Sequence, residues 1–291
     1  MSWKDSVNGA LRRTGYELRR TDARPQAAPA RARARSGKVR SGDRLVESPG
    51  FVMCTLRSGS TLLRVMLDSH SRIHCPHEIH LRYLSVNLDA KWAERSMKEM
   101  GLDRERLEYL LWDRVLHREL AGSGKPQLVT KTPNDVFIAD RIMQCWPDAK
   151  LIFLLRHPAA IVRSRKALQD EDADQEKNVD LIRRYCEALE RARQAYDGVT
   201  IRYEDLTADP AATLQPVCAQ LGVEFEPGML EYGSHDHGRY RSGLGDWQDK
   251  IKTGQVQKAE PPPEEIPEPL REIAAQWGYL PQPAALDAPR P

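Results

Sequence analysis

Residues 54–63, CTLRSGSTLL, follow a short apolar run at 51–53 and precede a segment with the apolar periodicity of a helix. A strand, a tight turn at Gly59 and a helix in this order are typical of a phosphate-binding loop. The backbone N–H groups of such a turn and the positive end of the helix dipole attract anions. The loop of a nucleoside triphosphatase also contains a lysine before its last hydroxyl residue. Here Ser60 stands in that position and the cation of the loop is Arg57, so ATP hydrolysis is a weak interpretation.

Short β-rich runs and helical patterns alternate on both sides of this loop. Strands are expected at 51–55, 127–131, 150–156 and 199–204, and the third is apolar enough to be buried on both faces. Helices are expected at about 60–70, 105–121, 134–146, 158–169, 177–196, 210–221 and 270–277. This alternation predicts an α/β fold with a mainly parallel central sheet flanked by helices. Ligands of such folds bind beyond the carboxyl ends of the strands.

The 291 residues are enough for one catalytic domain with appendages. We expect the domain at 45–280, a basic and largely disordered tail at 1–44 with a short amphipathic helix, and a disordered tail at 281–291. Residues 1–45 hold 12 Lys and Arg against four Asp and Glu. The basic tail is either a solvated extension or a contact for an anionic membrane or an acidic partner, and nucleic acid is not expected as a partner.

The cysteines indicate the compartment. Five of them are widely scattered without a C-x-x-C pair, which argues against a disulfide framework in a chain of this size. No window approaches 18 consecutive apolar residues, and the first residues lack the apolar core of a signal peptide. We therefore expect a cytoplasmic protein, with peripheral membrane contact through the tail as the alternative.

A second motif follows the third predicted strand, in residues 151–165, LIFLLRHPAAIVRSR. Arg156 stands at the strand end, and Ser164 comes eight residues later, about two turns into the next helix. A single arginine or serine at such places usually has no special role. The Arg156–Ser164 pair indicates a binding site only in combination with the loop at 57–61.

The two motifs RSGST and R-x7-S, 99 residues apart in this order, resemble those of the sulfotransferases that use 3′-phosphoadenosine 5′-phosphosulfate. The resemblance covers roughly residues 48–255 and implies a fold like that of the P-loop nucleoside triphosphatases. It assigns the 5′-phosphosulfate to the loop, namely to Arg57, Ser58, Gly59, Ser60, Thr61 and Leu62. It assigns the 3′-phosphate to Arg156 and Ser164. In the segment IRYEDL at 201–206 it places Tyr203 near the adenine.

The stretch RSGSTLLRVMLDSH is similar to the branch of the family that includes the tyrosylprotein sulfotransferases. In that branch a glutamate at the position of Glu78 is the catalytic base, and a lysine in a K-x-P sequence, here Lys131, contacts the breaking bond. His77 is the rival base, because imidazole titrates near neutral pH. The resemblance implies in-line transfer to a hydroxyl of a carbohydrate, a phenol or natural product, or a peptidyl tyrosine.

Residues 70–80, HSRIHCPHEIH, also suggest a zinc site, since three histidines and a cysteine lie close together. No second pair of ligands with suitable spacing follows, so no metal is expected. The segment 239–256 loosely resembles the late glycine-tryptophan segment of the family and offers Lys250 and Lys252 as phosphate contacts. It has Gly245 and Asp246 where the tyrosylprotein branch has a serine, which puts help from a hydroxyl in doubt.

Two other functions remain open on the residues alone, a nucleotide kinase and a noncatalytic polyanion-binding module. The missing lysine argues against the first, and the two intact motifs argue against the second. Residues 80–125 form the largest insertion between the predicted strands, and we expect them to cap the acceptor pocket. Their aromatic side chains could face a ring or a saccharide, although such side chains usually belong to the core: Tyr83, Trp92, Tyr109 and Trp112.

Overall fold

The protein is represented by a computed structural model that describes residues 44–168, 174–238 and 249–280. The side chains of Asp249 and Lys250 are outside this description. The expectations for the tails at 1–43 and 281–291 and for residues 239–248 of the late segment also lie outside it.

Five parallel strands form one sheet in the order β2-β3-β1-β4-β5. They are β1 Gly50–Cys54, β2 Ile73–His74, β3 Gln127–Lys131, β4 Lys150–Leu155 and β5 Gly198–Arg202. The central strand β1 pairs Phe51 with Thr130 on one side and Val52 with Ile152 on the other. The predicted parallel α/β fold is thereby confirmed. The carboxyl ends of β3, β1 and β4 lie side by side, and they lead into the two motifs and to Lys131.

The helices run from the loop to the end of the described chain. They are α1 Ser60–Asp68, α2 Lys91–Glu99, α3 Arg104–Ser123, α4 Ala139–Cys145, α5 Pro158–Lys166, α6 Gln175–Ala195, α7 Tyr203–Ala208, α8 Pro210–Leu221, α9 Asp249–Lys252 and α10 Arg271–Gln276. Short 3-10 helices lie at Leu81–Tyr83, Pro133–Ile138, Pro227–Ser234 and Glu268–Leu270. The longer helices begin at aspartates: Asp103, Asp174 and Asp209 accept hydrogen bonds from the first turns of α3, α6 and α8.

Apolar side chains cover both faces of the sheet, as expected for parallel strands that connect through helices. On one face Phe51 and Phe153 pack in a cluster with Trp112 of α3 and Leu189 of α6. On the other face the alternate residues of β1 and β4 meet α1 and α8, with Leu63 and Leu214 among the contacts. All five cysteines are buried and free. No helix in the described ranges is long and apolar enough to cross a membrane.

Two predicted elements differ from the structure. The strand expected at 199–204 ends at Arg202, and Tyr203 and Glu204 form the first turn of α7. This turn lets the Glu204 carboxylate accept hydrogen bonds from the His157 backbone N–H and the Tyr279 hydroxyl. The helix expected at 134–146 begins as the 3-10 helix Pro133–Ile138 before α4.

Candidate active site

A cleft of about 580 Å³ lies where the two predicted motifs meet. Its lining includes the loop after β1, the start of the 3-10 helix after β3, the end of α5 and a late segment of the chain. The lining side chains are Leu56, Arg57, Gly59, Ser60, Thr61, Leu62, Glu78, Pro133, Asn134, Arg156, Arg163, Ser164, Arg165, Ala167, Tyr185, Tyr203, Tyr232, Ile251, Gln255, Gln257, Lys258, Ala259 and Glu260. The cleft thus lies beyond the carboxyl ends of the strands, where the fold class predicts it.

The loop between β1 and α1 turns tightly at two residues with positive φ angles. Arg57 has φ 57° and Gly59 has φ 84°. A Cβ atom on Gly59 would lie 2.2 Å from the Tyr203 ring, so both the backbone conformation and the close contact require glycine. The fully buried Ser58 donates from its hydroxyl to the Thr55 carbonyl at 2.7 Å and holds the turn from within. Ser58 therefore supports the loop, whereas Ser60 and Thr61 line the cleft.

The R-x7-S motif joins this loop directly. Arg156 donates from Nη1 to the Arg57 carbonyl at 2.7 Å, and Arg57 donates from Nε to the Ser164 hydroxyl at 3.2 Å. The Arg156 guanidinium lies over the Tyr203 ring, 4.4 Å from its centroid. Burial lowers the pKa of Arg156, and its buried Nε has no hydrogen-bond partner among the described residues. An anion in the cleft could therefore bind the desolvated Arg156 guanidinium, whose Nε is still able to donate a hydrogen bond.

Glu78 and Lys131 form a buried ion pair at the other side of the cleft. Lys131 Nζ lies 2.5 Å from Glu78 Oε1, although the residues are 53 positions apart. The exposed fractions of the two side chains are 1% for Lys131 and 9% for Glu78. The second carboxylate oxygen of Glu78 lies 3.4 Å from His80 Nε2. The structure thus brings the predicted base and the predicted cation into contact. Glu78 lines the cleft, whereas Lys131 lies buried beside it and is not among the lining residues.

The neighbouring histidines point to different partners. His70 Nε2 lies 2.8 Å from the Glu224 carbonyl oxygen, and His74 Nδ1 lies 3.3 Å from an Asp68 carboxylate oxygen. His77 Nε2 lies close to Gly238, and His77 is not among the residues that line the cleft. In the described part of the chain, no group of three His, Cys, Asp or Glu side chains could hold a metal ion.

Sequence reasoning missed three residues at or next to the cleft lining. Asn134 and Tyr185 line the cleft, and the Tyr185 hydroxyl donates to Asn134 Oδ1 at 2.6 Å. Asp135 lies buried in the next position, with 1% of its surface exposed. Both Asn134 and Asp135 directly follow the predicted Lys131 segment, and this adjacency was a usable signal. Tyr185 had none, because it reaches the cleft from α6.

Other predicted residues lie away from the cleft lining. Lys252 is exposed on α9, and its neighbour Ile251 lines the cleft instead. Lys250 is on the same helix, with its side chain outside the description. Tyr109 and Trp112, with 7% and 0% exposed, belong to the core, while Tyr83 and Trp92 are exposed on the surface. The insertion at 80–125 approaches the Glu78–Lys131 pair at His80, but none of its residues is among those that line the cleft.

Comparisons with known proteins give the family. The model described as "Sulfotransferase family" matches residues 49–227. Protein-tyrosine sulfotransferase 2 of Gallus gallus is 22% identical over 200 residues, which cover 62% of this chain and 53% of the relative. Protein-tyrosine sulfotransferase of Drosophila melanogaster is 27% identical over 196 residues, covering 62% and 39%. The chain therefore spans about half or less of the length of these two curated relatives.

Solved structures agree on the fold. The sulfotransferase domain of the curacin biosynthetic pathway superposes with a TM-score of 0.58 at 22% identity, covering 81% of this chain and 99% of that one. The sulfotransferase domain of the Synechococcus PCC 7002 olefin synthase gives 0.53 at 23% identity, covering 80% and 96%. The sheet order, the loop after β1 and the family match over more than half of the chain lead to one conclusion: the chain belongs to the sulfotransferase family.

Proposed function

We propose that this protein is an enzyme that transfers the sulfuryl group of 3′-phosphoadenosine 5′-phosphosulfate to a hydroxyl acceptor by in-line displacement. One observation carries the proposal. One cleft is lined by residues of the loop at 57–61, by Arg156 and Ser164, and by Glu78, whose carboxylate pairs with the buried Lys131. The first two are suited to an anionic nucleotide, and the third supplies a base and a cation.

The residues of the cleft fit this donor. Its volume of about 580 Å³ falls in the range of small-molecule sites, roughly 300–1,000 Å³. Arg57 and the N-terminus of α1 would hold the 5′ end, and Arg156 with Ser164 would hold the 3′-phosphate. Tyr203 offers a ring face for the adenine beside them. Arg57, Arg156 and the backbone N–H groups of the loop would bind the negative charges of the nucleotide, and the proposal includes no metal.

The two residues of the buried pair have different roles in the proposed reaction. Glu78 takes the proton of the acceptor hydroxyl, whose oxygen then attacks sulfur. Lys131 stabilises the negative charge that develops on the bridging oxygen as the bond to sulfur breaks. Both residues are held by the scaffold before substrate arrives, so little reorganisation is needed during the reaction. His77 remains the alternative base.

Binding of adenosine 3′,5′-bisphosphate, measured by titration calorimetry, tests the donor assignment. We expect binding without magnesium, and Arg156→Ala should weaken it roughly 10- to 100-fold, because a hydrogen bond to a charged group contributes about 1.5–3 kcal/mol. Arg184→Ala is the matched control, since Arg184 is an exposed arginine on α6 that pairs with Asp180. Absence of binding, or tighter binding of magnesium-ATP, would refute the proposal.

The acceptor is proposed as a class: a carbohydrate hydroxyl, a phenol or natural product, or a peptidyl tyrosine. Support for a hydroxyl comes from the position of Glu78 at the cleft and from the relatives named protein-tyrosine sulfotransferases. Transfer of labelled sulfuryl groups to a panel containing one member of each class would select among them. A hydroxyl-blocked analogue of the best acceptor should receive no label.

The place of action is proposed as the cytoplasm, at a membrane surface if the basic tail at 1–44 binds anionic lipid. The proposal rests on the scattered cysteines and on the charge of the tail. Cosedimentation with vesicles of anionic or neutral lipid, with and without residues 1–44, tests the membrane contact. Sedimentation with anionic vesicles only when the tail is present is the expected result.

A further inference from the structure

A second buried carboxyl group lies beside the Glu78–Lys131 pair. Asp135 follows Lys131 by four positions and begins the 3-10 helix Pro133–Ile138 with its backbone N–H bonded to the Thr132 carbonyl. Only 1% of its surface is exposed, and the buried Oδ1 has no hydrogen-bond partner among the described residues. A buried carboxylate without such partners is strongly disfavoured.

The charges around Asp135 do not compensate for its burial. Burial and the negative charge of Glu78 raise the pKa of Asp135 to about 8, against the opposing effect of Lys131. Lys131 is already in contact with Glu78 at 2.5 Å. The charge of Lys131 thus acts on two carboxyl groups while its ammonium group contacts Glu78, and such an arrangement favours a proton on Asp135.

Among the described residues, the other elements packed against this 3-10 helix bring no further charge that acts on Asp135. On β1, burial raises the pKa of the Cys54 thiol to about 11, and on α6 burial raises that of Tyr185 to about 12. Neighbouring ionisable groups have other partners. Arg82 lies over the Phe137 ring, and His80 lies beside Glu78. On α4, Asp140 accepts a hydrogen bond from the Tyr196 hydroxyl and Arg141 pairs with Glu108. Glu78 and Lys131 are the charges that matter for Asp135.

We propose that Asp135 works in its neutral, protonated form as a positioning residue, which leaves Lys131 to Glu78 and to the leaving group alone. The proposal rests on the proposed sulfuryl transfer. If Asp135 were ionised, a second negative charge would act on Lys131, and its ammonium group would stabilise the bridging oxygen less well. A neutral Asp135 removes this effect.

A neutral Asp135 would affect how the charges of Glu78 and Lys131 change during the reaction. In the resting site Glu78 balances Lys131. When the acceptor oxygen forms its bond to sulfur, its proton passes to Glu78, and the electron pair of the breaking bond goes to the bridging oxygen. Lys131 then loses its partner at the moment when a new negative charge appears nearby. Proton transfer to Glu78 and stabilisation of the leaving oxygen by Lys131 are therefore coupled, provided that Asp135 carries no charge.

The protonation of Asp135 can be tested without any substrate. Its pKa is raised in the folded protein, so the stability that protonated Asp135 contributes is present below about pH 4 and is lost as the pH rises toward 8. Asp135→Asn should remove this loss. The melting temperature of the variant minus that of the wild type should therefore increase from about pH 4 to about pH 8. Asp140→Asn is the matched control, since it changes an exposed carboxyl group five positions later. A difference between Asp135→Asn and wild type that stays constant across the window, or the same gain in Asp140→Asn, would overturn the proposal.

The role in transfer needs a second measurement, turnover against pH. Wild-type turnover should fall as the pH passes about 8, whereas the turnover of Asp135→Asn should not show this alkaline decline. An unchanged alkaline decline in Asp135→Asn, while its fold and donor affinity are intact, would overturn the positioning role. If wild type shows no transfer at all, the proposed function fails, and the melting profiles still decide whether Asp135 is protonated.

Discussion

The two sides of the cleft are built on different principles. On the donor side, Arg57, Arg156 and Ser164 are partly exposed and hydrogen bond to one another or to the backbone. On the reaction side, Glu78 and Lys131 form a buried pair with 9% and 1% of their side chains exposed. Partial exposure lets water replace a lost side-chain contact, so single side-chain changes on the donor side should cost less than changes in the buried pair. A buried pair that loses one member leaves an uncompensated charge.

The reaction side should accordingly show the largest effect of a single substitution. Lys131→Met keeps most of the side-chain volume and removes the charge, so turnover should fall about 10²- to 10³-fold, the loss typical of one missing electrostatic contact in a transition state. Affinity for adenosine 3′,5′-bisphosphate should change much less. The free energy of unfolding should fall by about 3–5 kcal/mol, because Glu78 remains as a buried carboxylate without its ammonium partner. Single-turnover kinetics, calorimetry and urea unfolding measure the three quantities.

A double variant separates stability from chemistry in that experiment. Lys131→Met combined with Glu78→Gln removes both charges, so it should recover much of the lost stability. Turnover should stay low, since neither the base nor the cation is present. Wild-type turnover in Lys131→Met, or an equal loss of turnover and of donor affinity, would remove Lys131 from the proposed mechanism.

The same contrast explains what the sequence could predict. The donor side depends on two contiguous motifs, and their strands, turn and helices were read from apolar periodicity and from Gly59 with small errors at the element ends. Glu78 and Lys131 were named through a family resemblance, but their contact was not, because it joins residues 53 positions apart. Tyr185 was missed for the same reason, whereas Asp135 lies only four positions after Lys131 and was missed because the sequence did not reveal its burial. The chemistry of these side chains depends on burial and on contacts between distant positions, and a local sequence pattern predicts neither.

The backbone of the donor side offers the next largest effect. Gly59→Ala introduces a Cβ at φ 84° and 2.2 Å from the Tyr203 ring, so both the loop and the ring must move. Gly124→Ala is a matched control, because Gly124 has φ 67° with nothing within 4 Å of the added atom. The control should lose only about 1 kcal/mol of stability through backbone strain. Gly59→Ala should lose more stability and also most of its affinity for adenosine 3′,5′-bisphosphate, and equal losses in both variants would contradict the role of the Tyr203 contact.

The smallest effect tests a single hydroxyl on the donor side. Ser164 accepts a hydrogen bond from Arg57 Nε at 3.2 Å, and Ser164→Ala removes it at a partly exposed site. A net hydrogen bond is worth about 0.5–1.5 kcal/mol, so affinity for adenosine 3′,5′-bisphosphate should fall by a few-fold. Ser123→Ala is the control, since the Ser123 hydroxyl donates to the Leu120 carbonyl at the end of α3, away from the cleft lining. Binding of adenosine 5′-monophosphate decides the cause of the loss. If Ser164 contacts the 3′-phosphate, the monophosphate should lose nothing in Ser164→Ala, whereas an equal loss for both nucleotides would mean that the hydroxyl acts only by holding Arg57.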